Sequence, residues 1–149
     1  MLKKLCGLVM LLTFAAALLA QGAAKDSLTV KISGIRNTNG RIWVGLWNSA
    51  SGFPEGDSTS FRSAWIEGSQ VRQSTVSTTF ADLPPGEYAI VAMHDENRND
   101  KLDKNFFGVP KEGWGVSNGF FSKTHSPTFN GAKFLLNQPT QVIPITIRY

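Results

Sequence analysis

Cysteine is almost absent from this chain of 149 residues, and histidine is scarce. The single cysteine, Cys6, lies near the N-terminus, so the rest of the chain has no thiol for a disulfide or a cysteine-rich zinc site. His94 and His125 are the only imidazoles, which argues further against zinc. Basic residues are scattered and form no stripe, so the electrostatic mark of nucleic-acid binding is missing. These absences exclude disulfide-stapled and nucleic-acid-binding proteins.

Apolar runs long enough to span a membrane are also lacking, but a shorter one lies near the N-terminus. Two lysines precede the apolar stretch Leu5–Leu19, which small residues follow. This order is typical of a cleavable signal peptide, and we predict cleavage after Gly22 or Ala24. The alternative is an uncleaved membrane anchor. Residues 1–24 are therefore interpreted as the signal peptide and residues 25–149 as one mature domain, located in the periplasm or secreted.

Short segments that alternate apolar and polar residues fill most of the mature chain. Leu28, Val30 and Ile32 alternate with polar neighbours, as the residues of a half-buried strand do. Similar patterns, each followed by turn residues, recur along the chain, whereas no segment has the period of an amphipathic helix. Pro144 predicts an edge position or a bulge for the last strand. The further strands are predicted at 41–47, 61–66, 71–80, 88–93, 133–136 and 141–148. About seven strands predict an all-β fold, a single β-sandwich.

One long connection, Asp95–Asn130, does not fit the strand pattern and is rich in aromatic residues. Loops of that length are usually functional or disordered, and its aromatic content argues against disorder. We expect the segment Phe106–Phe121 to fold back over the sandwich. Trp43 and Trp47 share one face of a predicted strand, where they would either be covered by this segment or form a stacking platform for a sugar.

Oxygen-bearing side chains recur at every second position between Asp95 and Asp103. With Asp95 as position 1, Asn97, Asn99 and Asp103 match the side-chain ligands of an EF-hand calcium loop, and Lys101 would offer its backbone carbonyl. Calcium takes about six to eight oxygen ligands from a tightly curled chain. We therefore predict a calcium site formed by these five residues. The alternative is a loop of Asx turns that binds no ion.

Two positions depart from the calcium-loop pattern. The sixth position, usually glycine because the chain turns sharply there, is Asp100. The twelfth, which usually supplies a bidentate carboxylate, is Phe106. We therefore expect a weak site, with a dissociation constant of about 10⁻⁴–10⁻³ M.

The segment Gly115–Gly119 matches a serine-hydrolase motif, with Ser117 at its centre and His125 nearby. This motif activates a serine only at a sharp turn from a strand into a helix, and no helix is predicted there. We therefore expect no catalytic residue. His94, at the end of an apolar strand, is expected to be a hydrogen-bonded structural histidine.

Three segments of the chain resemble a bacterial family called domain of unknown function 2141. They are Phe80–Tyr88, His94–Asp103 and Asn105–Gly115, and the resemblance extends over nearly the whole mature chain. It implies a transthyretin-like or similar β-sandwich that is exported and has no assigned activity. The family usually has glycine where this chain has Arg98 and Asp100.

Together these observations predict an exported, non-catalytic β-sandwich module, ordered by calcium, that acts in binding or in envelope structure. An envelope protein or a glycan is the expected partner. The alternative functions are a small periplasmic hydrolase and a carbohydrate-binding module.

Overall fold

Eight β-strands form the framework of the structure, a computed structural model that describes residues 25–120, 122 and 125–149. The predicted signal peptide lies outside the described residues. The strands are β1 (Asp26–Ser33), β2 (Arg41–Trp47), β3 (Arg62–Glu67), β4 (Thr75–Leu83), β5 (Gly86–Asp95), β6 (Gly113–Val116), β7 (Phe134–Leu136) and β8 (Thr140–Thr146). One short helix, α1 (Phe129–Ala132), and 3-10 turns at 57–59, 68–70 and 117–119 complete the described elements.

The strands form two sheets. The smaller sheet has the order β4-β1-β8, in which β1 pairs antiparallel with β4 and parallel with β8. Pro144 lies on β8 at the edge of this sheet, which confirms the prediction made from its missing N–H group. The larger sheet is antiparallel, with the order β3-β2-β5-β6, and β7 pairs with the first residues of β5.

An aliphatic core lies between the two sheets, and we call it the inner layer. Alternate residues of each strand point into it, because successive side chains of a strand face opposite ways. Its fully buried members include Leu28, Val30 and Ile32 of β1, Ile42, Val44 and Leu46 of β2, Ile90 of β5 and Ile145 of β8. Two sheets that share one core confirm the all-β sandwich predicted from the alternation.

The opposite face of the larger sheet carries a second, aromatic layer, which we call the outer layer. Its buried members include Trp43, Trp47, Val91, Met93 and Trp114, and the loop residues Phe53, Leu102 and Phe120 pack against them. Between the first two tryptophans lies Gly45, where an added Cβ would come within 2.4 Å of the Trp43 ring. Glycine therefore lets the two indoles meet edge to face, with 5.8 Å between ring centroids.

The long connection after β5 is only partly as predicted. It contains β6, a strand that the sequence pattern did not indicate. Trp114 is buried and Phe120 is half-buried, as expected of a segment that folds back over the sandwich. The expectation is wrong for Phe106 and Phe107, which are 97% and 85% exposed. Both lie in a tight turn, residues 105–109, that holds their rings away from the outer layer.

Candidate functional site

The predicted calcium-binding residues lie in a curled loop, Asp95–Asp103, that leaves the end of β5. We call it the Asx loop. Asp95 is fully buried, and its carboxylate accepts hydrogen bonds from the backbone N–H groups of Asn99, at 3.0 Å, and Asp100, at 3.1 Å. One carboxylate thus draws the following residues back toward the strand end. The same hydrogen bonds satisfy two backbone N–H groups that would otherwise lack an acceptor inside the loop.

Two asparagines continue the curl. The Oδ1 atom of Asn97 accepts from the N–H of Asn99 at 3.1 Å, and the Oδ1 atom of Asn99 accepts from the N–H of Lys101 at 3.0 Å. These are Asx turns, in which a side chain bonds the backbone two residues on. Both side-chain amides also donate to the carboxylate of Asp103, at 2.7 and 2.8 Å. The structure therefore brings Asn97, Asn99 and Asp103 together, as the spacing predicted.

Arg98 and Asp100, where the family resemblance implied glycine, keep a glycine-like backbone. Arg98 and Asp100 have φ angles of 64° and 65°, in the left-handed region that most side chains disfavour. Each side chain forms an ion pair, Arg98 with Glu67 and Asp100 with Arg41. The left-handed backbone expected where a calcium loop turns sharply is thus present at both residues, although neither is glycine.

Glu112, just before β6, closes the Asx loop from inside and was missed by the sequence reasoning. It is only 4% exposed, and its two carboxylate oxygens accept from the backbone N–H groups of Glu96, at 2.9 Å, and Asp103, at 3.0 Å. It therefore joins the beginning of the loop to its end. An acidic residue beside a strand is too common to have signalled this role in the sequence.

The oxygen donors of the Asx loop fit calcium in kind, although carboxylates are few. Asp95 and Asp103 offer carboxylates, and the two asparagines offer amide oxygens, all of them ligands that calcium prefers. Phe106 adds none, and Glu112 accepts from backbone N–H groups, as the carboxylate of Asp95 also does. Within the described residues, no three His, Cys, Asp or Glu side chains converge as a metal-binding group. An ion here would therefore depend on the amides as well as the carboxylates.

A hydrogen-bonded network supports the loop from the side of the chain's C-terminal residues. Arg36 holds the carboxylate of Glu96 with two donors, and Asn37 donates to the same group at 2.6 Å. The hydrogen bond from Arg36 lowers the pKa of Glu96 below its ordinary value. The guanidinium of Arg36 also lies 4.1 Å from the centre of the Tyr149 ring, and burial raises the pKa of that tyrosine.

His94 is fully buried and hydrogen-bonded at both ring nitrogens, which confirms the structural role predicted for it. Its Nε2 atom lies 2.9 Å from the carbonyl oxygen of Asn39, and its Nδ1 atom lies 2.6 Å from the hydroxyl of Tyr149. Because a carbonyl only accepts, Nε2 carries the hydrogen and Nδ1 accepts from the tyrosine.

An aromatic cleft of about 670 Å³ lies beside the Asx loop. Trp43, Trp65 and Trp114 form its floor. Lys101 and Lys104 line one side, and the exposed carboxylates of Glu55 and Asp57 line another. The indole N–H of Trp43 points to Asp57 at 3.4 Å, and the guanidinium of Arg41 stacks 3.9 Å above the Trp65 ring. Because the Asx loop forms one wall, its conformation sets the shape of the cleft.

Ser117, the serine of the hydrolase-like motif, is fully buried. Its hydroxyl donates to the carbonyl of Ala132 at 2.6 Å and accepts from the N–H of Ile90 at 3.0 Å. The residue thus ties the 3-10 turn after β6 to β5 and to helix α1. A strand-to-helix elbow is not formed, since residues 117–119 are a 3-10 turn.

Comparison with known proteins gives a family but no activity. The model of an uncharacterised protein family conserved in bacteria, DUF2141, matches residues 30–143. No curated protein and no solved structure matches the chain. Among the described residues, no helix is both long enough and apolar enough to cross a membrane.

Proposed function

We propose that this chain, which belongs to the DUF2141 family of bacterial proteins, is an exported, non-catalytic binding module whose Asx loop holds a calcium ion. The observation that carries the proposal is the meeting of Asn97, Asn99 and Asp103 in a loop curled around the buried carboxylate of Asp95. The buried, doubly hydrogen-bonded hydroxyl of Ser117 supports the non-catalytic part. The N-terminal signal-like segment supports the periplasm or the exterior as its location.

Calcium would be held by side-chain oxygens of Asp95, Asn97, Asn99 and Asp103 and by the carbonyl of Lys101. The ion supplies positive charge that offsets the carboxylates of the loop. The chain itself supplies the curl, because Glu112 already joins the two ends of the loop. A preformed loop loses less conformational entropy when it binds.

Arg41 opposes the ion and keeps the site weak. Its Nε atom lies 3.4 Å from the carboxylate of Asp95, and its guanidinium pairs with Asp100. A cation already close to two of the acidic groups reduces the attraction for a second cation. We therefore keep the expected dissociation constant of about 10⁻⁴–10⁻³ M, which suits a compartment where calcium is abundant.

Thermal melting tests the calcium site. At free calcium a hundredfold above the dissociation constant, the ion would stabilise the folded protein by roughly 2.7 kcal/mol, so the melting temperature should rise. Magnesium should raise it much less, because it demands a smaller octahedral site. Asp103→Asn should remove most of the rise, whereas Asp82→Asn, an equal charge change at an exposed residue distant in sequence, should preserve it. A melting temperature that does not change in millimolar calcium would contradict the site.

The cleft favours a carbohydrate as the ligand of the module. Tryptophan rings pack well against the apolar face of a sugar ring, while carboxylates and lysines around them can hydrogen-bond its hydroxyls. The half-buried Trp65 supplies the first element, supported by the buried Trp43 at 6.4 Å between ring centroids, and Asp57 and Lys104 belong to the second. Since Lys101 lies in both the Asx loop and the cleft wall, calcium should strengthen sugar binding.

An array of neutral, amino and acidic oligosaccharides, probed with and without calcium, tests the ligand. Trp65→Ala should abolish binding, because this half-buried indole lies on the cleft floor. Phe61→Ala is the matched control, since Phe61 is an exposed aromatic that instead contacts Tyr88. Binding that survives the loss of Trp65 would contradict a carbohydrate site in this cleft.

A further inference from the structure

A short hairpin next to the Asx loop carries the two most exposed large apolar side chains of the described residues. We call the segment Lys104–Lys111 the tip loop. Phe106 is 97% exposed and Phe107 is 85% exposed, and their rings contact each other edge to face with 5.5 Å between centroids. Elsewhere in the described chain, large apolar side chains reach at most 61% exposure, at Val142. Two adjacent phenylalanines in water are costly unless another apolar phase covers them.

The tip loop is built to hold these rings outward. The side-chain oxygen of Asn105 accepts from the N–H groups of Phe107, at 2.9 Å, and Val109, at 3.0 Å. The backbone N–H of Asn105 donates to the carbonyl of Val109 at 2.8 Å, and Gly108 adopts a φ of 78° to complete the turn. Lys104 and Pro110 then pair as a β-bridge. The exposure of the rings is therefore a property of an ordered turn.

Positive charge surrounds the base of the tip loop. Lys101, Lys104 and Lys111 are all exposed. Among the acidic groups next to these lysines, Asp100 pairs with Arg41, Asp103 accepts from the amides of Asn97 and Asn99, and Glu112 binds backbone N–H groups. The exposed carboxylates of Glu55 and Asp57 lie along the cleft. The tip loop thus presents an apolar end with a basic collar.

We propose that the tip loop docks on an anionic lipid bilayer, with Phe106 and Phe107 inserted between the headgroups and the three lysines in contact with lipid phosphates. A bilayer accepts a convex apolar projection of this kind, and its negative surface complements the basic collar. Insertion and charge together supply the two signals that stable peripheral binding requires. This surface goes beyond the calcium and carbohydrate sites and does not depend on them.

Docking would also orient the cleft. Lys104, Gly108 and Pro110 belong both to the tip loop and to the cleft lining. A protein held by its tip loop would therefore keep the mouth of the cleft close to the bilayer surface.

Vesicle sedimentation in the presence of a chelator tests the proposal, and the chelator makes the result independent of the calcium site. The mature protein should bind vesicles of phosphatidylglycerol and phosphatidylethanolamine and should bind pure phosphatidylcholine vesicles much less. Phe106→Ser with Phe107→Ser should weaken binding by about a hundredfold, at roughly tenfold for each ring. Lys104→Ser with Lys111→Ser should weaken binding to the anionic vesicles by about 25-fold, at roughly fivefold for each charge.

Leu135→Ser is the matched control, because Leu135 is an exposed apolar residue on β7, outside the tip loop. It should leave vesicle binding unchanged. Circular dichroism melting should show that all variants remain folded, since the substituted side chains are exposed. The proposal is overturned if the protein ignores anionic vesicles or if the double phenylalanine variant binds them as the natural protein does. Ultracentrifugation that shows a dimer dependent on the two phenylalanines would overturn it in favour of self-association.

Discussion

The inner and outer layers are built from alternate residues of the same strands, yet they differ in composition and in closure. On β2, Val44 and Leu46 face the inner layer, and Trp43 and Trp47 face the outer layer. The inner layer is aliphatic and sealed between two sheets. The outer layer is aromatic, is covered by loops and opens into the cleft. From this difference we expect the inner layer to supply most of the stability, whereas the outer layer borders the cleft.

The largest expected effect compares one residue from each layer. Leu46→Ala should lower the free energy of unfolding by about 2–5 kcal/mol, because it leaves a cavity where no solvent can enter. Trp65→Ala should cost clearly less, since Trp65 is half-buried on the edge strand β3 at the cleft. Urea titration of both variants measures the two losses. Equal losses of unfolding free energy would contradict the expectation that the inner layer contributes more stability than the outer layer.

An intermediate effect is expected at the Asx loop, which adjoins the outer layer. Glu112→Gln should lower the free energy of unfolding by about 1–3 kcal/mol, because the new amide group would present a donor to a backbone N–H that needs an acceptor. Glu87→Gln, at an exposed ion pair with Lys133, is the matched control and should change little. If both variants have the same melting temperature, Glu112 does not hold the Asx loop in place. The comparison between the layers would then have to include the other residues that support the loop.

The smallest effect concerns pH and the network beside the loop. Because Arg36 lowers the pKa of Glu96 below its ordinary value of 4.5, their pair stabilises the folded state at neutral pH and above that ordinary value. This stabilisation is lost as the pH falls through the lowered pKa of the folded state. Arg36→Gln should therefore destabilise the protein by about 1 kcal/mol or less at pH 7, since the arginine is largely exposed, and by nothing in strong acid.

Unfolding free energies of the natural protein and of Arg36→Gln, measured from pH 7 to pH 2, test this expectation. Arg72→Gln, which removes an arginine that hydrogen-bonds only backbone carbonyls among its described contacts, controls for the change in net charge. A difference that stays constant across the range would show that the pair does not act through the ionisation of Glu96.

The strands were predictable wherever alternation was regular, as at Leu28, Val30 and Ile32, because burial on one side of a sheet imposes that period. Strand β6 was not, because Gly113 and Gly115 carry no strand preference. They are required there for a reason invisible in the sequence, since an added Cβ would lie 2.5 Å from the side chain of Ile147 and 2.4 Å from the carbonyl of Thr146, respectively. Close approach between distant segments belongs to the folded state alone.

The two-residue spacing of the oxygen donors in the Asx loop could be predicted from the sequence, as the alternation of the strands could, because Asx turns act over two residues. The partners of the loop were not, because Glu112 acts across the chain through backbone N–H groups. The burial predicted for Phe106 was wrong for another reason. Hydrophobicity predicted burial, but the turn chemistry of Asn105 holds both phenylalanines outward.

The parallel pairing of β1 with β8 determines when the sandwich can close. Ser27 lies opposite Thr140 and Ser33 opposite Thr146, so the first described strand needs a neighbour that is synthesised much later. The hydroxyl of Tyr149 reaches His94 at a still later point in the chain. Such distant contacts make folding slow and leave β1 without one of its two partners during synthesis. The sandwich therefore cannot close until synthesis has passed Thr146.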